Sequence, residues 1–392
     1  MRIYEKDILV ILNPFFFVYV DMIDYFIRNK NMTNKNIYEV IIRCQEPQYI
    51  NILTKKFNIP FDTIDFLLGL KVIIPIEQSW TQGFYTTLDI EICTHCNYRC
   101  DYCPVKISPK KPQLMDNKLF AEIIDKANNF PSITTINLNA YNEPLLDPEL
   151  LDKLNIVSKT KLKIILNTNG SLLNPDKFDA IIKCNAVKTI HINIPSLDEQ
   201  IYQKKTGTRN FFKTINNINY IIKTKRDVEI NLVVLDKNID KSIKKFYRYY
   251  KNNSNVNIIP GIINDRAGLL EGEYSQRLQI NDKLVGCNRF INYLSVSVNG
   301  DFFICCQDYF QREIFGNIRD GTIENIINGE KSIGLKKKVF GEMESSPDFI
   351  CRKCDKMRLG QLKVRANKYQ ILKKQEPDSQ NLNTGYSMNL RF

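Results

Sequence analysis

Histidine is scarce in this chain, with two residues among 392. Acid–base or zinc chemistry that depends on histidine therefore has little material to work with. Long apolar segments are scarce as well. The run from Ile8 to Val20 is interrupted by Asn13 and Pro14, is too short to span a bilayer, and is followed by no small-residue cleavage site. We therefore expect a cytoplasmic protein with no membrane partner.

A concentrated basic stripe is also lacking, although the net charge is +12. The lysines are dispersed and are not interleaved with stacking aromatics, so we expect no nucleic-acid partner. The positive charge is most simply that of a Lys-rich and Asn-rich proteome, and it also suits an acidic electron donor or an acidic peptide substrate. A chain of 392 residues with 43% hydrophobic side chains is long enough for two or three domains with a substantial core.

Cysteine, in contrast, is abundant, with eleven residues and no secretion signal. In a reducing compartment, clustered thiols indicate metal or redox chemistry rather than disulfides. Cys96, Cys100 and Cys103 form a C-x3-C-x2-C run beside Tyr102. Three closely spaced thiolates suit a cubane iron–sulfur cluster with one open iron. A four-ligand zinc site that also uses Cys93 is the alternative.

This cysteine run resembles the signature of the radical S-adenosylmethionine (SAM) enzymes. The resemblance implies a [4Fe–4S] cluster whose open iron chelates the amino and carboxylate groups of SAM. It further implies that an electron from this cluster cleaves the sulfonium and releases a 5′-deoxyadenosyl radical.

From residue 86 onwards, strand-like and helix-like segments alternate. The predicted strands cover residues 87–92, 134–139, 163–167, 189–194, 229–235 and 255–259, and the predicted helices cover 116–129, 148–158, 174–184, 198–223 and 241–252. Strands rich in β-branched residues that alternate with helices predict an α/β fold with a parallel sheet and right-handed crossovers. We expect a partial (β/α)6 barrel with its site at the carboxyl ends of the strands.

The ends of the predicted strands carry further elements that are similar to the family pattern. Residues 139–146 resemble the family's Gly-Gly-Glu-Pro element, which holds the SAM amino group, although Tyr141 and Asn142 replace the usual glycines. Thr168-Asn169-Gly170 resembles the family's strand-end Thr-Asn-Gly, and Asn193 stands at a strand end where the family commonly has a serine. Asn-Gly and Glu-Pro pairs also simply make turns, so this alternative stays open. The resemblance implies a cofactor-binding set of Tyr102, Asn142, Glu143, Pro144, Thr168, Asn169 and Asn193.

A second cysteine set follows the predicted barrel. It resembles the auxiliary-cluster module called SPASM, in its shortened "twitch" form, with a hairpin predicted around an Asn-Gly turn. A structural zinc on the same thiols is the alternative, because spacing alone does not distinguish iron from zinc. The resemblance implies one auxiliary [4Fe–4S] cluster held by Cys287, Cys305, Cys351 and Cys354.

Cys306 is the uncertain member of this set. Alternation along a strand turns Cys305 and Cys306 to opposite faces, and the spacing from Gly300 favours Cys305 as the ligand. We regard Cys306 as a candidate hydrogen donor to a substrate radical and Asp308 as a candidate general base.

Residues 1–82 combine strand-like runs at 8–12 and 15–20, helical patterns at 34–44, 47–57 and 61–69, and a further strand-like run at 71–76. This order loosely resembles a winged-helix peptide-recognition module. A cap or a dimerisation element is the alternative. We expect this module to be followed by a radical SAM barrel at 83–260, a SPASM/twitch domain at 261–360 and a polar tail at 361–392.

The expected function is that of a radical SAM oxidoreductase or peptide maturase. Its expected substrate is a ribosomally synthesised precursor peptide that undergoes oxidation, cross-linking or epimerisation. A flavodoxin or ferredoxin-type protein is the expected electron donor. A sugar-alcohol dehydrogenase and a non-catalytic zinc-binding protein are the alternatives.

Overall fold

The computed structural model describes residues 9–12, 36, 40, 43–44, 48–69, 73–75, 85–224, 227–236, 239–250, 256–261, 263, 265–270, 284 and 287–354. In the amino-terminal region, three short strands form an antiparallel sheet. Strand β1 (Leu9–Leu12) lies between β2 (Gln48–Tyr49) and β3 (Ile73–Pro75). A π-helix (Ile52–Lys56) and helix α1 (Phe61–Gly69) complete this region.

This amino-terminal region has its own small apolar core, in which Leu53, Ile64 and Leu67 are buried. The prediction of a helix at 61–69 is confirmed. The prediction of a helix at 47–57 is wrong at its beginning, because residues 48–49 pair with β1 as a strand. The predicted strand at 15–20 and most of the predicted helix at 34–44 lie outside the described residues, so the winged-helix assignment stays a prediction.

The central architecture is an open α/β sheet, as predicted. Within the described chain, six consecutive parallel strands run in sequence order: β4 (Thr87–Ile90), β5 (Thr135–Asn137), β6 (Lys163–Thr168), β7 (Val187–Ile194), β8 (Glu229–Val234) and β9 (Asn257–Pro260). The connecting helices are α2 (Asn117–Asn129), α3 (Leu150–Ser158), α4 (Pro175–Ile182), α5 (Glu199–Thr206), α6 (Phe211–Lys223) and α7 (Ile239–Tyr250). Asp116, Asn174 and Asp198 cap three of these helices by accepting backbone hydrogen bonds, which explains where those helices begin.

One predicted helix, 198–223, is wrong as a single element. It is divided into α5 and α6 at Gly207, which adopts the left-handed conformation at φ 67°. Its N–H closes α5 by donating to Gln203 O. The glycine is needed because a Cβ there would lie 2.9 Å from the carbonyl oxygen of Arg99.

The second cysteine-containing region extends this same sheet. Strand β10 (Tyr293–Val296) pairs parallel with β4, and β11 (Asp301–Phe303) and β12 (Ile314–Asn317) continue the sheet antiparallel, giving nine strands among the described residues. The predicted hairpin is confirmed, with Gly300 at φ 86° in its turn. Helices α8 (Asn288–Asn292), α9 (Ile323–Ile327), α10 (Glu330–Val339) and α11 (Ile350–Lys353) surround these strands. No helix in the described ranges is long and apolar enough to cross a membrane.

Candidate functional site

The loop that carries the first three cysteines follows β4 and is held by the end of α5. The backbone N–H of Arg99 donates to Thr206 O at 3.1 Å, and that of Asp101 donates to Lys205 O at 2.8 Å. These two carbonyls belong to the last turn of α5, where no further helical N–H is available to them. The division at Gly207 thus gives the cysteine loop its backbone anchor.

Three buried hydroxyl groups connect the cysteine loop to helices α5 and α6. The hydroxyl of Tyr98 lies 2.8 Å from that of Tyr202 and 3.3 Å from Thr214 Oγ1, and the latter two are 3.0 Å apart. Because all three residues are buried, this network replaces the water that their hydroxyls would otherwise need.

Cys96, Cys100 and Cys103 lie close enough together to raise one another's pKa electrostatically, although burial is the larger cause. Burial raises the pKa of Cys96 to about 12. Tyr102 hydrogen-bonds with Cys100 from a buried position. Metal ligation requires thiolates, so binding of a cluster would remove the thiol protons that burial otherwise retains.

Cys93 takes no part in this trio. Its Sγ is fully buried, accepts a hydrogen bond from Asn142 Nδ2 at 3.3 Å and donates to Glu143 O at 3.5 Å. The thiol therefore stabilises the neighbouring 140–146 loop, and burial raises its pKa to about 12. This geometry argues against the zinc alternative that includes Cys93.

Glu143 is the central carboxylate of the site. Its Oε1 accepts the Thr168 hydroxyl at 2.7 Å and the Leu145 N–H at 3.2 Å, and its Oε2 accepts the Asn169 N–H at 2.8 Å. Its own N–H donates to His95 O, which ties it to the cysteine loop. Burial raises the pKa of Glu143 to about 7 against the opposing effect of these donors.

The other residues predicted to bind the cofactor have different surroundings. Asn142 uses its side chain within its own loop, with Oδ1 accepting the Ala140 N–H at 2.8 Å in addition to the Cys93 contact. Pro144 begins a short 3-10 turn after Glu143. Asn169 donates to Asn97 Oδ1 at 2.8 Å and so reaches the cysteine loop. Asn193 lies half-buried near the end of β7.

Four further cysteines converge at a second site. The pKa of Cys305 is raised by burial and then by Cys306, Cys354 and Cys287, and that of Cys351 by burial and then by Cys305, Cys287 and Cys354. These mutual effects place the four predicted ligands, Cys287, Cys305, Cys351 and Cys354, in one cluster. All eleven cysteines, which lie within the described ranges, are free thiols.

Cys306 lies beside Cys305, whose pKa it also raises, and reaches further groups. It acts electrostatically on Tyr141, Arg266 and Arg289, of which Tyr141 and Arg289 are affected by Cys305 as well, and its carbonyl accepts a hydrogen bond from the Tyr141 hydroxyl. Arg289 in turn is paired with Asp89 on β4. Cys306 therefore lies on the side of the second site that faces the barrel.

Asp308 is placed less favourably for catalysis. Its Oδ2 accepts the Glu313 N–H at 2.8 Å, and its own backbone joins the turn between Cys305 and Gln311. Burial raises its pKa above the usual value. The carboxylate organises the turn that follows the second cysteine site, and its role as a general base stays a prediction.

Sequence reasoning missed two residues that lie between the sites. The Tyr141 ring packs edge-on against Tyr309, with centroids 5.0 Å apart, and the Arg266 guanidinium lies 5.4 Å from the Tyr141 centroid. Arg266, Ala267 and Gly268 all adopt positive φ, a costly conformation for the first two. Tyr141 was visible in the sequence as a replacement of a usual glycine, but Arg266 belongs to no motif.

The donor sets fit iron–sulfur clusters at both sites, with a trio that leaves a cluster position open and a quartet that fills every iron. Among the side chains that the structure describes, no three cysteine, histidine, aspartate or glutamate residues converge tightly enough to hold a single metal ion. The ligands of one cluster bind different irons, so they need not converge in that way.

An open α/β sheet with a thiol trio after its first barrel strand and a thiol quartet on an extension of that sheet defines an iron–sulfur redox enzyme. Residues 90–250 match the radical SAM superfamily, and residues 287–355 match the iron–sulfur cluster-binding domain SPASM. The chain belongs to the radical SAM superfamily and carries a carboxyl-terminal SPASM domain. These domains imply a SAM-binding [4Fe–4S] cluster, SAM and auxiliary iron–sulfur ligation.

Two characterised relatives show how broad this similarity is. The chain is 22% identical over 274 residues to the S-adenosyl-L-methionine-dependent 2-deoxy-scyllo-inosamine dehydrogenase of Niallia circulans, covering 69% of this chain and 93% of that protein. It is 33% identical over 89 residues to the tungsten-containing aldehyde ferredoxin oxidoreductase cofactor-modifying protein of Pyrococcus furiosus, covering 23% of this chain and only 25% of that protein.

Solved structures support the fold. SuiB of Streptococcus suis bound to SAM has a TM-score of 0.51 at 13% identity, covering 92% of this chain and 94% of that chain. SuiB has also been solved bound to the precursor peptide SuiA, with a TM-score of 0.50 at 13% identity, covering 84% and 88%. The enzyme anSMEcpe bound to SAM and a peptide has a TM-score of 0.51 at 17% identity, covering 74% and 97%.

Proposed function

We propose that this enzyme cleaves SAM reductively and uses the resulting 5′-deoxyadenosyl radical to take a hydrogen atom from a substrate. The observation that carries the proposal is the position of Glu143. Its buried carboxylate is hydrogen-bonded to the end of β6 and its backbone to the cysteine loop. A single carboxylate thus connects the two elements between which SAM would bind.

When bound, the first cluster supplies the electron that breaks the sulfonium. The Glu143 carboxylate would accept a hydrogen bond from the amino group of SAM. The Thr168 hydroxyl and the Asn169 N–H, which donate to this carboxylate, keep it oriented. An ammonium group beside Glu143 favours the ionised form, so SAM binding opposes the upward pKa shift that burial causes. Tyr102, Asn142, Pro144 and Asn193 complete the proposed cofactor-binding set.

Two fates are open to the substrate radical. Cys287, Cys305, Cys351 and Cys354 would hold an auxiliary cluster, which would supply an electron acceptor for a net two-electron oxidation or a cross-link, with Asp308 proposed to take the proton. Transfer of the Cys306 thiol hydrogen to the radical gives epimerisation instead. The position of Cys306 on the barrel-facing side supports this second role.

The cleavage reaction is directly testable. Oxygen-free, iron-loaded protein reduced with dithionite should convert SAM into 5′-deoxyadenosine, and Cys100→Ala should abolish this product. Cys184→Ala is the matched control, since Cys184 is a buried cysteine outside both predicted ligand sets and donates a hydrogen bond to Leu154 O. The proposal fails if the unaltered protein forms no 5′-deoxyadenosine, or if Cys100→Ala forms it at the unaltered rate.

For the substrate, we propose a ribosomally synthesised precursor peptide, with a flavodoxin or ferredoxin-type electron donor. The amino-terminal sheet supports a peptide, because β3 lies at an edge of this sheet among the described strands, where an extended segment can add as a further strand. SuiB, bound to a precursor peptide, is similar over most of the chain. We propose the same division into residues 1–82 for peptide recognition, 83–260 for the barrel, 261–360 for SPASM/twitch and 361–392 for the tail.

The second candidate is dehydrogenation of a sugar alcohol. The similarity to the 2-deoxy-scyllo-inosamine dehydrogenase, which spans 93% of that protein, favours it. Deletion of residues 1–82 separates the candidates, with dithionite-driven 5′-deoxyadenosine formation as the check that the barrel is intact. The peptide proposal expects loss of binding to precursor peptides encoded beside this protein. Unchanged peptide binding, or turnover of a free aminocyclitol by the shortened chain, would favour the second candidate.

A further inference from the structure

Tyr141 connects the two cysteine sites physically. Together with Val105 and Tyr309 it forms a small apolar cluster against which Cys96 and Cys103 of the first site pack. At its other end, the Tyr141 hydroxyl donates a hydrogen bond to the carbonyl of Cys306, which follows the auxiliary ligand Cys305. The residue is 9% exposed, so this contact is shielded from solvent.

Three consecutive residues of the same loop reach three different places. Tyr141 reaches the carbonyl of Cys306, Asn142 reaches Cys93 beside the first site, and Glu143 reaches the end of β6. One residue separates Tyr141 from Glu143, and the side chains of all three residues are held by hydrogen bonds. The loop is therefore a short, hydrogen-bonded connection between the proposed SAM site and the auxiliary site.

We propose that Tyr141 is a positioning residue that couples occupancy of the SAM site to the reduction potential of the auxiliary cluster. This inference rests on the proposed function of both sites. The hydroxyl is a dipole aimed at the backbone beside an auxiliary ligand, and hydrogen bonds and dipoles around a cluster set its potential. A ligand on Glu143 that moves this dipole changes how well the auxiliary site holds an added electron.

Thermodynamic linkage makes the coupling reciprocal. If occupancy of the SAM site shifts the auxiliary potential, reduction of the auxiliary cluster changes ligand affinity by the corresponding factor. A tenfold difference in affinity between the two redox states corresponds to about 59 mV for a one-electron couple.

The experiment uses the full chain with both clusters loaded and S-adenosylhomocysteine as the ligand. This thioether keeps the amino and carboxylate groups of SAM but has no sulfonium to cleave. A redox titration followed by electron paramagnetic resonance measures the auxiliary midpoint potential with and without it. We expect the ligand to shift the potential in the unaltered protein and to lose most of that effect in Tyr141→Phe, which keeps the ring and removes only the hydroxyl.

Tyr220→Phe is the matched control, since its hydroxyl donates to Asp179 at 2.8 Å on the helical layer. This variant should keep the full shift. Equal shifts in Tyr141→Phe and the unaltered protein, or no shift in the unaltered protein, would overturn the coupling. Either result can occur while dithionite still drives 5′-deoxyadenosine formation, so the coupling can fail without the proposed function failing.

Discussion

Cys305 and Cys306 are adjacent in the chain and affect overlapping sets of groups. Both act on Tyr141 and Arg289, but Cys305 is also among the thiols that raise the pKa of Cys351, together with Cys287 and Cys354. The prediction that strand alternation turns the two side chains to opposite faces is wrong in its premise, because β11 ends at Phe303 and Cys306 lies in a turn. The effect on Cys351 that Cys305 shares with Cys287 and Cys354 is what favours Cys305 as the ligand.

The assignment of Cys305 rather than Cys306 as the ligand predicts different iron contents for two otherwise similar variants. The iron content of Cys305→Ala should fall from about eight irons per chain to about four, because the auxiliary cluster loses a ligand. Cys306→Ala should keep about eight. Iron analysis after anaerobic loading measures both, and a loss of iron in Cys306→Ala with retention in Cys305→Ala would reverse the assignment.

Lys336 on α10 gives a prediction about pH. Its ammonium group is fully buried and donates to Ile327 O at 2.9 Å, and burial lowers its pKa from 10.5 to about 7. Between about pH 7 and 10.5, unfolding therefore takes up a proton, so this residue makes stability rise with pH by at most about 1.4 kcal/mol per unit. Below about pH 7 the full cost of burying the charge is present.

Lys336→Met removes the pH dependence of stability that Lys336 causes. The free energy of unfolding of the variant, minus that of the unaltered protein, should therefore decrease between pH 7 and pH 9.5. Anaerobic urea denaturation at the two values measures the difference, and a constant difference would show that Lys336 does not titrate in this range.

At this scale, the sequence indicated candidate thiols and was much less informative about what lies between them. Spacing indicated the trio, because metal ligands often recur at short intervals, whereas the quartet was implied by the resemblance to the SPASM module. Tyr141 and Arg266 act through contacts between distant parts of the chain, and no local pattern marks such contacts in advance.

Among the elements, the junction between α5 and α6 is the most informative. Gly207 ends α5 with positive φ beneath the Arg99 carbonyl, and the freed carbonyls of Lys205 and Thr206 hold the cysteine loop. Apolar residues occur on both sides of residues 203–210, which contain none, and one helix was predicted across this gap. The glycine and the tertiary contact with the cysteine loop divide the segment there.

Gly207→Ala should therefore weaken the first cluster site. The left-handed conformation costs a residue with Cβ about 1–2 kcal/mol, and the clash with Arg99 O adds to it. We expect a lower melting temperature and reduced iron retention during gel filtration. Gly334→Ala on α10 is the control, because a Cβ there meets nothing within 4 Å and alanine favours a helix by about 1 kcal/mol. Equal behaviour of the two variants would contradict this role for Gly207.

For the whole molecule, the main finding is that the barrel and the auxiliary region share one sheet. Strand β10 pairs with β4 over Thr87–Ile90, a strand that is buried throughout. The sequence predicted both cysteine-containing regions but not that their strands pair in one sheet. Parallel pairing between segments some 200 residues apart leaves no local trace, whereas the hairpin that follows β10 is marked by its own turn residues.

A chain that ends after residue 260 should consequently be poorly soluble. It would expose the backbone edge of β4, in which Leu88 and Ile90 are apolar and Asp89 is the single charged residue of the kind that protects natural edges. The fraction that remains soluble after expression measures this effect. A chain that ends after residue 354 keeps all strands described above and serves as the control; if both are equally soluble, β10 is not required to cover β4.

Because β4 has strand partners on both sides, its amide protons are held between β5 and β10. Their replacement by deuterium requires the sheet to separate, so the peptide spanning residues 87–90 should be among the slowest to exchange in mass spectrometry. The thiol trio begins six residues beyond this strand. The loop that carries the thiols is therefore anchored at one end to a strand that we expect to be among the least fluctuating segments of the protein.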